Sequence, residues 1–194
     1  LSWQPVGRDM QSYQVAHGFG YTKITSNIES IESELTYFVP REDHREIWKA
    51  TLKNTSSKKR KLNLTCYVEF ALGHGLIDII NQCDDQHFNR VYFDKELNSL
   101  FASKTYWVTK NNGTQQQENQ EWDQWAFFTS NLPITAYETV RERFIGNFRN
   151  ENNPIAIETG NFSSADTDFG NTVGAIQVEV ELLPGETKDV IFSL

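Results

Sequence analysis

The groups in this sequence with chemistry to offer are four histidines, two cysteines and 26 acidic side chains. The histidines are His17, His44, His74 and His87. None has the His-x-x-x-His or His-Glu-x-x-His spacing that would present two ring nitrogens to zinc from one helical face. Cys66 and Cys83 are too few for a disulfide framework or a cysteine zinc site, and Cys66, set among alternating apolar residues, reads as a small core residue. No serine sits in a Gly-x-Ser-x-Gly elbow, so a serine hydrolase of that type has no support. His17-Gly18-Phe19-Gly20 lacks the third glycine and the following helix that a dinucleotide site needs, and a tight backbone turn accounts for both glycines. Asp84-Asp85, with Asp78 and Asp94 nearby, does not have the spacing of an EF-hand loop and reads as a solvated acidic loop. A glycosidase needs two carboxylates placed across one sugar, and spacing alone selects no such pair.

The aromatics are the other resource: five Trp, seven Tyr and 13 Phe. Trp107, Trp122, Trp125, Tyr92 and Tyr106 have flat faces suited to the C–H side of a pyranose. Core packing, or an interface to further protein, is the simpler use for most of them. In Trp122-Asp123-Gln124-Trp125 the alternation of a strand would put one Trp on each face. His87-Phe88-Asn89-Arg90 enters another strand, and a guanidinium at Arg90 suits sugar hydroxyls or phosphate as well as a surface ion pair.

The elements that must position these residues are strands. In Leu62–Phe70 one face carries Leu62, Leu64, Cys66, Val68 and Phe70, and the other carries Asn63, Thr65, Tyr67 and Glu69, the pattern of a half-buried strand. Ile176–Leu182 repeats it; Pro184-Gly185 supplies a turn, and Val190, Phe192 and Leu194 line a return strand. Weaker signals predict strands over Ser12–His17, Tyr21–Ser26, Ile31–Val39, Glu46–Leu52, Phe88–Phe93, Leu100–Val108, Asp123–Thr129, Ile134–Glu138 and Pro154–Glu158. Asn111-Asn112-Gly113 reads as a turn before the polar run Gln115–Gln120, and Glu138–Ile145 as a turn or two of helix ended by Gly146. Regularly spaced strands with few helices predict an all-β fold, a large antiparallel β-sandwich, in a single domain over residues 1–194.

Composition excludes several classes. The net charge is −8, with Lys58-Lys59-Arg60-Lys61 the one basic cluster, which argues against nucleic acid as a partner. No apolar run approaches the length of a bilayer-spanning helix, so no membrane partner is expected. The shortage of cysteines leans towards a reducing, cytoplasmic location. The chain opens Leu1-Ser2-Trp3 and its one Met is Met10, so it reads as a piece of a longer protein. Asn54-Thr55-Ser56, Asn63-Leu64-Thr65, Asn112-Gly113-Thr114 and Asn161-Phe162-Ser163 fit the glycosylation sequon, as chance matches in a chain rich in Asn, Ser and Thr.

Several strings, taken in order, carry a resemblance. They are His17-Gly18-Phe19-Gly20-Tyr21-Thr22, Glu34–Pro40, then Trp48, Leu52 and Asn54, Tyr67–Phe70, Phe144-Ile145-Gly146 and Val178–Glu186. Together they resemble the N-terminal β-sandwich of the cellobiose phosphorylase family, glycoside hydrolase family 94, formerly glycosyltransferase family 36. The resemblance implies a supersandwich of the galactose-mutarotase type, followed in the parent by a catalytic helical barrel. It implies a glycosyltransferase acting as a phosphorylase: phosphorolysis of a β-linked glucoside with inversion, giving an α-sugar 1-phosphate, with inorganic phosphate as co-substrate and no metal or organic cofactor. The general acid belongs to the barrel, so no catalytic residue carries over, and the fragment alone is expected to be inactive. The family is typically homodimeric, with the sandwich shaping the interface and the active-site rim. Phe88-Asn89-Arg90 resembles a Phe-x-Arg string whose Arg approaches the sugar, which makes Arg90, with Phe88 and Asn89 beside it, the substrate-binding candidate. The segment Gly73–Gln86 departs from the cellobiose-specific pattern, so laminaribiose, cellodextrins, β-1,2-glucooligosaccharides and chitobiose all stand as substrates. The competing readings are a free-standing carbohydrate-binding module and a structural sandwich of another glycosidase.

Overall fold

The computed structural model describes residues 11–72, 76, 80, 88–111, 115–121 and 124–194, with backbone alone for 106–111 and 115–121. The first half of the chain forms β1 (Ser12–Gly18), β2 (Tyr21–Ile28), β3 (Ile31–Phe38), β4 (Ile47–Asn54), β5 (Arg60–Glu69) and β6 (Asn89–Asp94). Then follow β7 (Ser99–Asn111), β8 (Gln115–Glu121), β9 (Ala126–Ser130) and β10 (Ile134–Val140), two short helices α1 (Arg141–Phe144) and α2 (Ile155–Thr159), and β11 (Thr167–Asp168), β12 (Thr172–Leu182) and β13 (Thr187–Ser193).

The strands make two sheets. The large one runs β1-β2-β3-β4-β13-β9-β7-β6-β11, with β8 also paired to β7, and the small one runs β10-β12-β5. Every pairing among the described residues is antiparallel. Period-two alternation decides which side chains meet between the sheets. Leu35, Ala50, Leu52, Val91, Leu100, Phe128, Val190 and Phe192 of the large sheet share one core with Ile176, Val178, Val180 and Leu182 of β12. Val173 and Ala175, at the start of β12, turn to the opposite face and are covered by Phe144 and Ile145 at α1 and Ala156 of α2. Because both of its faces are covered, β12 is apolar almost continuously through Val178, whereas the two-faced β5 alternates. The result is a β-sandwich, as the pattern of strands predicts.

Four local readings need correction. Pro154–Glu158 is not a strand: Pro154 caps the helix α2 with φ −67°, and Gly160 ends it in the left-handed region at φ 71°. Glu138–Val140 finish β10, so the helix predicted over Glu138–Ile145 shrinks to α1, and Gly146 (φ 97°) turns the chain away. The strand predicted from Asp123 begins at Ala126; residues 122 and 123 lie outside the described residues. The polar run Gln115–Gln120 is a strand, β8, held by its register against β7 (Asn111↔Gln115 to Thr105↔Glu121) and not by apolar alternation.

Candidate functional site

Phe88, Asn89 and Arg90 do not present one surface. Arg90 and Asn89 are neighbours on β6, and neighbours on a strand point to opposite faces. Asn89 faces inward, opposite Lys104, and is buried with its Oδ1 unpaired among the described residues. Phe88 is half-buried just before the strand, and its carbonyl accepts a hydrogen bond from the Thr105 hydroxyl. Arg90 faces out. Its Nε donates to Asp168 Oδ1 at 3.2 Å, and its guanidinium lies 5.3 Å from the centre of the Phe169 ring. A ligand approaching from outside reaches Arg90 without reaching Asn89.

Arg90 opens onto an aromatic surface. Tyr92, two residues along β6, stacks on its cross-strand partner Phe101 with ring centres 5.5 Å apart, and Trp125 stands nearly perpendicular to Tyr92 at 5.8 Å and 78°. Tyr92, Trp125 and Phe169 are all exposed. The sequence singles out Tyr92 and Trp125 as stacking candidates. It gives no signal for Asp168 and Phe169, which sit in an aperiodic stretch and come beside β6 through the two-residue strand β11. Trp122 and the side chains of Trp107 and Tyr106 lie outside the described residues, as do His74, His87, Cys83, Asp78 and Asp84-Asp85.

A second concavity follows the edge of β5 away from β12; that edge pairs with no strand among the described residues. This cleft of about 830 Å³ is lined by Tyr37, Trp48, Leu64, Cys66 and Phe192 on its core side, and by Thr65, Tyr67, Phe144 and Asn150–Asn152 on its outer side. Beside it the Tyr67 hydroxyl donates to Glu69, and Arg141 pairs with Glu69 at 2.8 Å and with Glu151 at 2.5 Å. Burial and the Glu69 carboxylate push the Tyr67 hydroxyl well above the ordinary tyrosine range. The Cys66 thiol is raised by desolvation too, so it is a poor nucleophile at neutral pH. Both carboxylates of this cluster are tied to Arg141, an arrangement that binds and holds loops rather than one poised to transfer a proton.

The remaining motifs are structural. His17 pairs with Thr22 across the β1–β2 hairpin, its Nδ1 3.0 Å from the Thr22 hydroxyl. Gly20 takes φ 79° in the turn, and the Tyr21 ring lies where a Cβ on Gly18 would stand. Asp94 Oδ1 accepts the Glu96 and Leu97 amides and so closes a turn. The basic cluster is countered by acids: Lys59 with Glu181, Lys61 with Glu179 and Arg60 with Glu29. Asn54, the asparagine of one sequon match, is fully buried with its amide nitrogen donating to the carbonyls of Lys58, Leu182 and Leu183, so no glycan can be attached there in the folded chain.

This fold and these surfaces meet a known family. The family model "Glycosyl hydrolase 94, supersandwich domain" matches residues 1–194. The chain belongs to that family. It is 29% identical over 188 residues to an N,N'-diacetylchitobiose phosphorylase of Vibrio proteolyticus, covering 96% of this chain and 22% of that protein. It is 28% identical over 185 residues to a solabiose phosphorylase of Paenibacillus borealis, covering 95% and 22%. It is also 25% identical over 183 residues to the cyclic beta-(1,2)-glucan synthase NdvB of Rhizobium meliloti, covering 94% and 6%. The chain thus spans about a fifth of the length of the phosphorylases it matches.

Proposed function

We propose that this supersandwich domain serves an inverting glycoside phosphorylase, whose parent chain cleaves a β-linked disaccharide with inorganic phosphate and releases an α-sugar 1-phosphate. The observation that carries this reading is the family match over all of residues 1–194, together with the phosphorylase names of relatives aligned over nearly the whole chain. The domain itself is the non-catalytic partner: it shapes the active-site rim and a homodimer interface, while a helical barrel elsewhere in the parent supplies the general acid and the phosphate site. The chemistry needs no metal or organic cofactor, because phosphate is the nucleophile and a carboxylic acid protonates the leaving oxygen. The shortage of cysteines fits a cytoplasmic enzyme. Arg90 is this domain's candidate for contact with substrate, and its guanidinium is held facing outward by Asp168 and Phe169.

The test is phosphate consumption by the full-length parent across β-1,2, β-1,3 and β-1,4 disaccharides, N,N'-diacetylchitobiose included. Release of a sugar 1-phosphate from at least one is the expected result; no phosphate consumption with any of them defeats the reading. Arg90→Ala in the parent lowers kcat/KM for that sugar, and an unchanged value removes Arg90 from the site. A second reading, a sandwich that serves another carbohydrate-active enzyme, is favoured by the match to a glucan synthase, since one fold carries several chemistries. Polymerisation of β-1,2-glucan without phosphate release would select it.

A further inference from the structure

The two sheets of the sandwich differ in width. β5 and β12 of the small sheet stand across the core from β4 and β13, and the large sheet then continues through β3, β2 and β1. At a strand spacing of about 4.8 Å, those three strands overhang β5 by roughly 14 Å. Burial follows the overhang. Ala50, Leu35, Ile24 and Val15 are successive cross-strand partners on the core side of β4, β3, β2 and β1. Their exposure rises from 1% at Ala50 through 8% at Leu35 and Ile24 to 44% at Val15. The core side of β5 is also under-covered: Leu62, Leu64, Cys66 and Val68 are only partly buried, whereas Ile176, Val178, Val180 and Leu182 of its neighbour β12 are buried. Among the described residues, no backbone hydrogen bond reaches the edge of β5 away from β12. That edge carries none of the usual blunting by proline or bulge, since the register with β12 is unbroken from Arg60 to Glu69.

We propose that this edge of β5 is a strand-addition site, taken in the parent protein by one extended segment of its own chain from outside residues 1–194, apolar at alternate positions. The cleft along the edge has the two walls such a segment needs: Leu35, Trp48, Leu64 and Phe192 on the core side, and Thr65 with Asn150–Asn152 on the outer side. An added strand pairs its backbone with β5, turns every second side chain onto Leu35 and Ile24, and keeps the others beside Thr65 and the Asn150–Asn152 loop. A second copy of this chain does not fit. Antiparallel pairing of β5 with the β5 of another copy drives the two overhanging large sheets into the same layer. Parallel pairing about a two-fold axis inverts the partner strand and lays its polar face, the one carrying Asn63, Thr65 and Tyr67, on the apolar floor. A lone segment has neither problem. That the parent has further chain to supply rests on the reading above, in which this chain is about a fifth of a longer protein; the site itself rests on the unequal sheets and the unpaired edge.

The test is hydrogen exchange in the full-length parent, resolved to single amides over residues 60–69. An edge strand protects only the alternate amides that face its one neighbour, whereas a strand with two neighbours protects nearly all of them. The expected result is that nearly every amide of β5 exchanges at least about a hundredfold more slowly than in unstructured chain. Alternate amides that exchange fast in the parent overturn the proposal. The occupant is read separately, by Asn63→p-benzoylphenylalanine in the parent, irradiated and then digested for mass spectrometry. Asn63 is exposed and lines the cleft, so the probe reaches whatever lies along the edge. A cross-link to a peptide of the same molecule from outside residues 1–194 is expected; a cross-linked dimer, or cross-links only within residues 1–194, overturns the choice of occupant. Both measurements are made without sugar or phosphate, so their failure removes the added strand and leaves phosphorolysis by the parent to be decided by its own assay.

Discussion

Glu138 and Asn54 show how much of this structure hangs on polar groups that no hydrophobic pattern reveals. Glu138 is buried, and its carboxylate accepts the amides of Thr139 and Val140 on Oε1 and that of Ser163 on Oε2, at 3.0 to 3.2 Å. It therefore satisfies the chain where β10 ends and the loop after α2 returns. Glu138→Ala leaves those buried donors unmatched and is expected to cost about 3 kcal/mol, read as a lower midpoint in urea unfolding. Asn54→Ala removes the junction between the β4–β5 and β12–β13 turns and is expected to cost a similar amount, about 2–4 kcal/mol. A loss below about 0.5 kcal/mol for either one contradicts the account. In the sequence, Asn54 is legible as a sequon match and as part of the family resemblance, and Glu138 as the end of one strand and the start of a helix. Neither position signals its distant partners, Ser163 for Glu138 and Leu182 and Leu183 for Asn54. Tyr137 makes a further prediction at this scale. Burial, with the Asp166 carboxylate beside its hydroxyl, pushes it up to about 12 from the usual 10. The folded chain then holds a proton that the unfolded chain releases earlier. Its contribution to stability is whole below pH about 10 and is lost as pH rises towards about 12. An ultraviolet difference titration should show a tyrosine step near pH 12, separate from Tyr67, whose hydroxyl is held higher still, and Tyr137→Phe should remove the step near 12 while leaving that of Tyr67.

Elements were legible where alternation has a buried face, and illegible where something else selects the conformation. β5 shows its period of two plainly, and so does the second half of β12. β8 has no apolar face to read, since its seven residues are Gln, Asn and Glu, and it exists by pairing with the longer β7. Ile155–Thr159 has the apolar alternation of a short strand, but Pro154 fixes φ at its start and Gly160 closes it left-handed, which selects a turn of helix. The aromatic surface beside Arg90 was half legible: the rings could be named, while the ion pair beside them depends on a two-residue strand without sequence signature. The small sheet also depends on one close approach. A Cβ built on Gly174 of β12 would stand 2.9 Å from the Phe70 ring and 3.0 Å from Val68. Gly174→Val is expected to destabilise the chain by about 1–3 kcal/mol through overpacking, and Phe70→Leu in the same chain to recover part of that loss. Additive losses in the double variant would show that the Phe70 contact is not the cause.

Across the whole molecule, burial falls off from β12 towards β1. Residues Val173, Ala175, Ile176 and Val178 of β12 are fully buried, and the strand is flanked on both sides by β10 and β5. Among the described residues, strand β1 lies at one end of the large sheet, paired with β2, and all seven of its residues are exposed. Strand β5 is intermediate: it is paired along its full length with β12, and its other edge faces the cleft. Local opening follows buried contact and the number of strand neighbours, so the three strands should differ in hydrogen exchange even though all are regular β-structure. The amides of β12 are expected to exchange slowest, near the limit set by global unfolding. Those of β5 should exchange at intermediate rates, and those of β1 fastest, as a unit with the β1–β2 turn. Exchange followed by mass spectrometry on peptides covering 11–28, 60–69 and 172–182 separates these cases. Protection of β1 equal to that of β12 would mean that the outer strands are covered by a second layer in solution, such as another copy or further chain. The exposed face of β1 and β2 would then be an interface rather than a surface.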